Sequence, residues 1–405
     1  LPCSQTKHSL PKSFYRSYKT FPDLAPKHTF LGKDLIPQVC ILEKYTGLNS
    51  MAKLSDLKFA MGASIFLASL IFGLFLLGVI FLLQYYVVGF DLLNGLLFAL
   101  GGTLVFILFE YLVGPAIVSM STHLQYLKHG ENPWLENVVK EMAQKSGIPM
   151  PKLAVVPDRT PNAFTFGRTS SSAVLAVHEG LLRSLNQDEV KGVIAHELGH
   201  IKHKDYIVMT VLSTLPLIAY WISQIAMTAG WVSGGSRRRG RDQGNAGLIL
   251  IVIGVISFVV YILSFMAVMR LSRLREHFAD AYSAYLTNKP RSLQSALAKI
   301  TYGLSIEPKA TASARSFYIE DPQQAKKEVA QIMENKNKYD LDNDGVLDER
   351  ELQLAMEKEA KSTWVQMNRL FATHPPTFKR ILLLKDIEQE MDTGQYSNNA
   401  MYNHV

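Results

Sequence analysis

The stretch VKGVIAHELGHIKHKD, residues 190–205, decides how the rest of the chain is read. Val190, Val193, Ile194, Leu198 and Ile201 recur at the helical period, so the stretch is a helix with an apolar face. On such a helix His196 and His200 stand one turn apart, and both imidazoles reach one metal ion while Glu197 projects beside them. Zinc suits this donor set, a catalytic zinc keeps one position open for water, and Glu197 is placed to take that water's proton. The plain alternative is a polar helix face that happens to carry two histidines. A third protein ligand is required, and RLSRLREHFADAYSAYL, residues 270–286, offers Glu276. Asp280, one turn later, fits a carboxylate that orients a ligand histidine. Taken alone, that pair reads as an ordinary amphipathic helix.

Together with FATHPPTFKRI, residues 371–381, these motifs resemble the integral-membrane zinc metalloproteases that include the HtpX-type heat-shock proteases and, more distantly, the CAAX prenyl proteases. The resemblance runs from about Met51 to about Ile387, apart from one inserted segment. It implies a mainly α, multi-pass membrane protein with a zincin-like (gluzincin) metalloprotease domain and a small β-sheet. It also implies that His196, His200 and Glu276 hold zinc, that Glu197 is the catalytic base, and that Asp280 stands behind a ligand histidine. His277 and His203 have no assigned counterpart, and His203 is read as a solvated histidine. Asn162, Ala163 and Phe164 resemble a family segment beside the cleft, where an exposed edge strand binds substrate backbone by strand addition. A plain hairpin is the competing reading. Thr373-His374-Pro375-Pro376 and Arg380 match the family's terminal motif. His374 is a candidate hydrogen-bond donor to the transition state, or part of a turn set by the proline pair; Arg380 is a candidate substrate contact.

A net charge of +7, 48% hydrophobic residues and a mean hydropathy of +0.08 are too apolar for an ordinary soluble chain of this length. Residues 1–50 differ from the rest. They hold Cys3 and Cys40, five of the 17 prolines, and 7 basic against 3 acidic residues, without a sustained helical or strand period. They are expected to be a disordered extension or an upstream region misread as coding. Without their net +4, the remaining +3 belongs to a chain with no cysteine, which excludes disulfides and a cysteine nucleophile.

Hydropathy then divides the chain. Residues 51–113 hold two spans, Phe59 to Leu83 and Leu92 to Val113, with Glu110 near the end of the second and read as reaching the interface. Residues 114–205 read as the first, soluble part of the protease domain, with a helix in NPWLENVVKEMAQKSG, strands at Leu153 to Pro157 and Ser172 to Val177, and surface positions for His178 and Glu179. Residues 206–270 carry two further apolar segments around a basic loop, 233–245; 271–322 return to the protease domain, and 367–405 complete it. Four full spans put Arg237, Arg238, Arg239 and Arg241 opposite the catalytic segments, whereas positive charge favours the cytoplasm. The family resemblance and Lys53, Lys58, Lys202, Lys204, Arg270, Arg273 and Arg275 argue for catalytic segments facing the cytoplasm, at the cell membrane. Incomplete spanning by the last two segments would also resolve the conflict. No nucleic-acid partner is expected, since the basic loop has no aromatic platform or known module.

The inserted segment, 323–366, contains DLDNDGVLDERE, residues 340–351. Asp340, Asp342 and Asp344 occupy the first, third and fifth positions of a calcium loop, Gly345 the sixth, Val346 the seventh through its carbonyl, Asp348 the ninth and Glu351 the twelfth. Helical patterns flank it, so an EF-hand-like helix-loop-helix binding one Ca2+ is expected. The whole then reads as a membrane endopeptidase with one Zn2+, cleaving membrane or misfolded polypeptides and open to modulation by calcium. Prenyl-protein processing is the narrower alternative, and a catalytically silent calcium-binding membrane protein is the alternative of another class.

Overall fold

In the computed structural model the described residues are 62–63, 66, 70, 72–81, 92–235, 243–306, 319, 322–341, 351, 355 and 374–393. In chain order the elements are α1 (Phe72–Phe81), α2 (Leu92–Thr122), β1 (Gln125–Tyr126), α3 (Pro133–Ser146), β2 (Lys152–Val156), β3 (Ala163–Phe166) and β4 (Val174–His178). There follow α4 (Glu179–Ser184), α5 (Gln187–His203), α6 (Asp205–Gly235), α7 (Gln243–Thr287), α8 (Pro290–Ile306), α9 (Pro322–Glu334) and α10 (Thr377–Asp392). Residues 1–50, the basic cluster Arg237 to Arg241, and 342–350 of the expected calcium loop lie outside the described residues.

Three described helices, α2, α6 and α7, are long and apolar enough to cross a membrane. Leu93, Leu97, Leu100, Leu104, Leu108 and Leu112 of α2 are all exposed, a continuous apolar surface that water would not tolerate and lipid would. Phe72 and Phe75 of α1 pack with Leu212, Leu215 and Ala219 of α6 and Val268, Met269 and Leu271 of α7. Gly254 lets α6 and α7 approach closely: a Cβ there would lie 2.4 Å from Met227 Cγ, and the Ser223 hydroxyl donates to the Gly254 carbonyl at 2.8 Å.

Two expected boundaries fall inside unbroken helices. The span read as ending at Val113 continues in α2 to Thr122. Its last turns have a reason to persist, because Val118 packs against Phe164, Phe166, Val156 and Val174 of the sheet. The division at 270/271 lies within α7, whose 45 residues span about 68 Å at about 1.5 Å per residue. The apolar first half and the segment bearing Glu276 are thus one rigid rod. Glu110 does not reach for the interface alone, since its Oε2 accepts a hydrogen bond from Thr214 of α6 at 2.7 Å.

The four-stranded sheet has the order β1-β2-β4-β3, with β2 and β4 parallel and both outer pairs antiparallel. β4 is buried along its whole length, including His178, which therefore is not a surface residue. Its imidazole meets Asn162 at 3.5 Å and the edge of Phe164, and burial pushes it down to about 4. Glu179 beyond it is solvated and pairs with Arg183 at 2.7 Å. The core lies between this sheet, α3, α5, α7, α8 and α10. Each Val, Ile or Leu fully buried there contributes about 1.5–3 kcal/mol.

Candidate metal centre

Local sequence builds the helix that carries the centre. Asn186 caps α5, accepting from the Glu189 amide at 2.9 Å, while the Glu189 carboxylate accepts from the Asn186 amide at 2.8 Å. The other Glu189 oxygen takes Ser295 at 2.7 Å and Lys299 at 2.6 Å, pinning this end of α5 to α8. At the far end Lys204 adopts a left-handed conformation (φ 58°), which turns the chain sharply into α6 at Asp205. Val190, Val193, Ile194, Leu198 and Ile201 are buried as the periodicity predicts. Gly199 allows α7 to come close, because a Cβ there would sit 3.2 Å from Tyr282 and 3.3 Å from Ala279.

That approach brings Glu276 to the two histidines. His196 Nε2 and His200 Nε2 are 3.1 Å apart, and the Glu276 oxygens lie 3.5 Å from the first and 3.6 Å from the second. Ligand atoms of His196, Glu197 and His200 also fall within 4.8 Å of one another. His196, Glu197 and Glu276 are buried.

Each imidazole has its other nitrogen held by a carboxylate. His196 Nδ1 faces Asp280 Oδ1 at 3.0 Å, and His200 Nδ1 faces Asp205 Oδ2 at 2.7 Å. Each carboxylate is held in turn by an arginine. Arg380 forks onto Asp280 with Nε to Oδ2 at 2.8 Å and Nη2 to Oδ1 at 2.7 Å; Arg275 pairs with Asp205. With both Nδ1 atoms committed as donors, the Nε2 lone pairs face each other and need a cation between them. A proton is the smallest that serves: burial opposes charge on His196, but the hydrogen bonds of Asp280 and Glu276 outweigh it and hold the ring up at about 9. His200 is pushed the other way, by burial and then by the neighbouring His196 despite the Glu276 carboxylate. A metal ion is the other cation that fits. Two neutral imidazoles and a carboxylate converge at separations close to the ~3.3–3.6 Å expected between ligands about 2.0–2.2 Å from a tetrahedral zinc. Arg380 Nη1 lies 3.5 Å from Glu276 Oε2, a cation that favours the ionised form a ligand needs.

His374, buried just before α10, brings Nδ1 to 3.3 Å from Glu276 Oε2 without hydrogen-bond alignment. Neither of its ring nitrogens has a hydrogen-bond partner among the described residues. Arg380 is not positioned as a substrate contact. It is fully buried, and beyond Asp280 its Nη1 donates to the Ile319 carbonyl at 2.6 Å. Asn162, Ala163 and Phe164 are buried too: the Asn162 side chain accepts from the Ile319 amide at 2.9 Å, and Ala163 and Phe164 pack into opposite faces of the sheet. What β3 has to offer a ligand is main chain, since it pairs with β4 alone among the described strands. His203 is half-buried; its ring stands edge-on to Phe278 with centroids 3.9 Å apart, and burial pushes it to about 3. His277 is lowered to about 4 by burial. Asp205 and Arg275 escaped the sequence reading because each looked like a charge at the end of an apolar run. The one available signal was an acid immediately after the HELGH helix.

Residues 129–388 match peptidase family M48. A protein of Thermococcus sibiricus described as a protease HtpX homolog is 33% identical over 338 residues, covering 82% of this chain and 99% of the relative. A protease HtpX homolog of Lactobacillus acidophilus is 38% identical over 234 residues, 56% of this chain and 78% of the relative. Among solved structures, the crystal structure of S. mikatae Ste24p aligns with a TM-score of 0.38 and 20% identity over 59% of this chain and 57% of that one, a likeness that carries nothing further.

Proposed function

The chain belongs to peptidase family M48 and is a membrane-bound metalloprotease of the HtpX type, and from that premise we propose that its metal is zinc, held by His196, His200 and Glu276. The observation that carries the reading is the pair of Nε2 atoms 3.1 Å apart, each backed by a carboxylate on Nδ1, with Glu276 closing the third side. Zinc bound there supplies Lewis acidity toward water and toward a peptide carbonyl. Glu197 takes the proton of the attacking water and passes it to the leaving amine. His374 donates to the oxyanion that develops, which its buried and unspent nitrogens support. Asp280 and Asp205 keep both imidazoles in the tautomer that presents Nε2, and the arginines keep those carboxylates ionised and in place. Substrate is an extended polypeptide laid along β3 by main-chain hydrogen bonds, which reads sequence weakly. The catalytic segments face the cytoplasm. Chelation should abolish peptide cleavage by the purified protein, and about one equivalent of zinc per chain should restore it. Activity that survives exhaustive chelation, with metal shown absent by elemental analysis, would refute the reading.

We also propose that residues 340–351 bind calcium and modulate the protease. The register of Asp340, Asp342, Asp344, Val346, Asp348 and Glu351 supports this, as does the Leu341 amide, which donates to Glu351 Oε1 at 2.6 Å and so closes the two ends of the loop. Calcium would neutralise a self-repelling loop and fix the helices around it. In zinc-loaded protein, turnover should change between zero and millimolar calcium, and an Asp340→Ala, Glu351→Gln double variant should not respond. A flat wild-type rate with a rising melting temperature would leave calcium a structural ion only.

A further inference from the structure

Arg168, in the connection between β3 and β4, reaches across to membrane helix α2. Its Nε donates to the Tyr111 carbonyl at 3.2 Å and its Nη2 donates to the Leu112 carbonyl, while the Tyr111 hydroxyl donates back to the Arg168 carbonyl at 3.0 Å. Pro115 explains why α2 has a carbonyl to give. A proline offers no N–H to the carbonyl four residues earlier, which here is Tyr111. In a helix that crosses a membrane an unanswered carbonyl is costly, and a neighbouring side chain is one of the few remedies. A guanidinium suits the task because its planar donors serve two adjacent carbonyls in fixed geometry, which an ammonium does not.

The contact has a definite height. From Leu92 to Tyr111 is about 20 residues, the length that crosses the hydrocarbon of a bilayer. The apolar stretch of α2 continues past Tyr111 to Thr122, but its last turns are covered by the sheet through Val118, so Tyr111 and Leu112 stand where the helix passes from lipid to protein, and tyrosine is a residue of that boundary. The same level is tied to α6 through Glu110 and Thr214 at 2.7 Å, and the Tyr206 hydroxyl in the first turn of α6 reaches Ser170 Oγ at 3.5 Å. Arg168 lies two residues past the end of β3. In that strand the His178 amide bonds to the Asn162 carbonyl at 2.9 Å, and the alternation of an antiparallel ladder then turns the main-chain groups of Ala163 and Thr165 away from β4. Ala163 is buried; Thr165 is half-buried and nearer the Arg168 clamp.

We propose that Arg168 is a positioning residue: held on the Tyr111 carbonyl that Pro115 leaves open and on the adjacent Leu112 carbonyl, it sets the outer edge of β3 at the membrane boundary, so that an extended segment emerging from the bilayer is bound ahead of the same segment free in solution. This rests on the reading of β3 as the substrate strand. It assigns Pro115 a purpose, since its missing N–H leaves the Tyr111 carbonyl as an acceptor, and it makes the preference for tethered substrate a property of two residues outside the metal centre.

The test uses full-length protein in lipid vesicles and two substrates with one cleavage sequence, a free peptide and the same peptide joined by a short linker to a membrane-spanning anchor. Arg168→Gln should raise KM for the tethered substrate about tenfold, as expected for losing one or two hydrogen-bonded contacts, with kcat, metal content and free-peptide kinetics within about twofold of wild type. Pro115→Ala supplies the missing N–H to Tyr111 and should produce the same selective loss; the double variant should be no worse than either single one. Equal losses on both substrates, no loss on either, or additive effects of the two substitutions would each overturn the proposal. Thr165→Pro removes an outward N–H while leaving the β4 ladder intact, and should lower kcat/KM for both substrates alike. If it lowers both and Arg168→Gln changes nothing, the substrate strand stands and the positioning role falls. If Thr165→Pro is silent with its metal retained, the strand reading fails, and the positioning role with it.

Discussion

Glu197→Gln is expected to keep one zinc per chain and to lose peptide cleavage by roughly 10²- to 10⁴-fold, the range a general acid–base group contributes. Metal and base separate because the proposed ligands are His196, His200 and Glu276, whose atoms lie 3.1–3.6 Å apart, while Glu197 stands beside the two histidines on the same helix. Gln keeps the volume of the side chain and takes away its capacity to accept a proton. The buried polar surroundings of α5 should therefore tolerate it, and the melting temperature should stay near that of wild type. Cleavage within about twofold of wild type, with metal in place, would remove Glu197 from the mechanism. Loss of metal together with activity would instead make it a ligand.

Arg380→Ala is expected to cost about 3–5 kcal/mol of stability, because it strips the partner from a carboxylate that has no access to water. Asp280 is fully buried, and Arg380 supplies two of its hydrogen bonds, at 2.7 and 2.8 Å. Burial raises the Asp280 carboxyl, but Arg380 and His196 bring it far below the usual carboxylate range. The same substitution should weaken zinc binding by about 10- to 100-fold through the loosened His196. An Asp280→Asn, Arg380→Met double variant should recover most of the lost stability, since neither charge is then left alone, but not the affinity for zinc. Thermal melting and metal titration on the same samples separate the two effects. A single variant as stable as wild type would mean that the buried pair does not hold the centre.

How far the site was legible follows from the range of the interactions that make it. His196, Glu197 and His200 lie within one and a half turns of a helix, so their spacing alone places them together. Glu276 needed a second motif 76 positions beyond His200, and the reason it arrives at the right distance, the close approach of α7 at Gly199, depends on packing that no local pattern displays. Asp205 was hidden for the same reason: it opens a membrane helix, and only the left-handed turn at Lys204 swings it back under His200. The apolar run is read as ending at Val113, before Gly114 and Pro115. The helix nonetheless continues, because the sheet covers Val118 and Arg168 answers the carbonyl that the proline leaves open. His178 looks exposed because it precedes a charged helix start, but it ends one of the two inner strands of the sheet. Arg380 looked like a cation for substrate, and the fold uses it to neutralise Asp280.

If one zinc is held jointly by α5 and by the part of α7 that continues out of the membrane, Glu276→Ala should lose most of it. Wild-type protein, purified without chelator and measured by elemental analysis, should carry one zinc per chain. The variant should carry well under half that amount while its melting temperature in metal-free buffer stays close to that of metal-free wild type. A Glu276→Ala protein that retains a full equivalent of zinc would remove Glu276 from the ligand set.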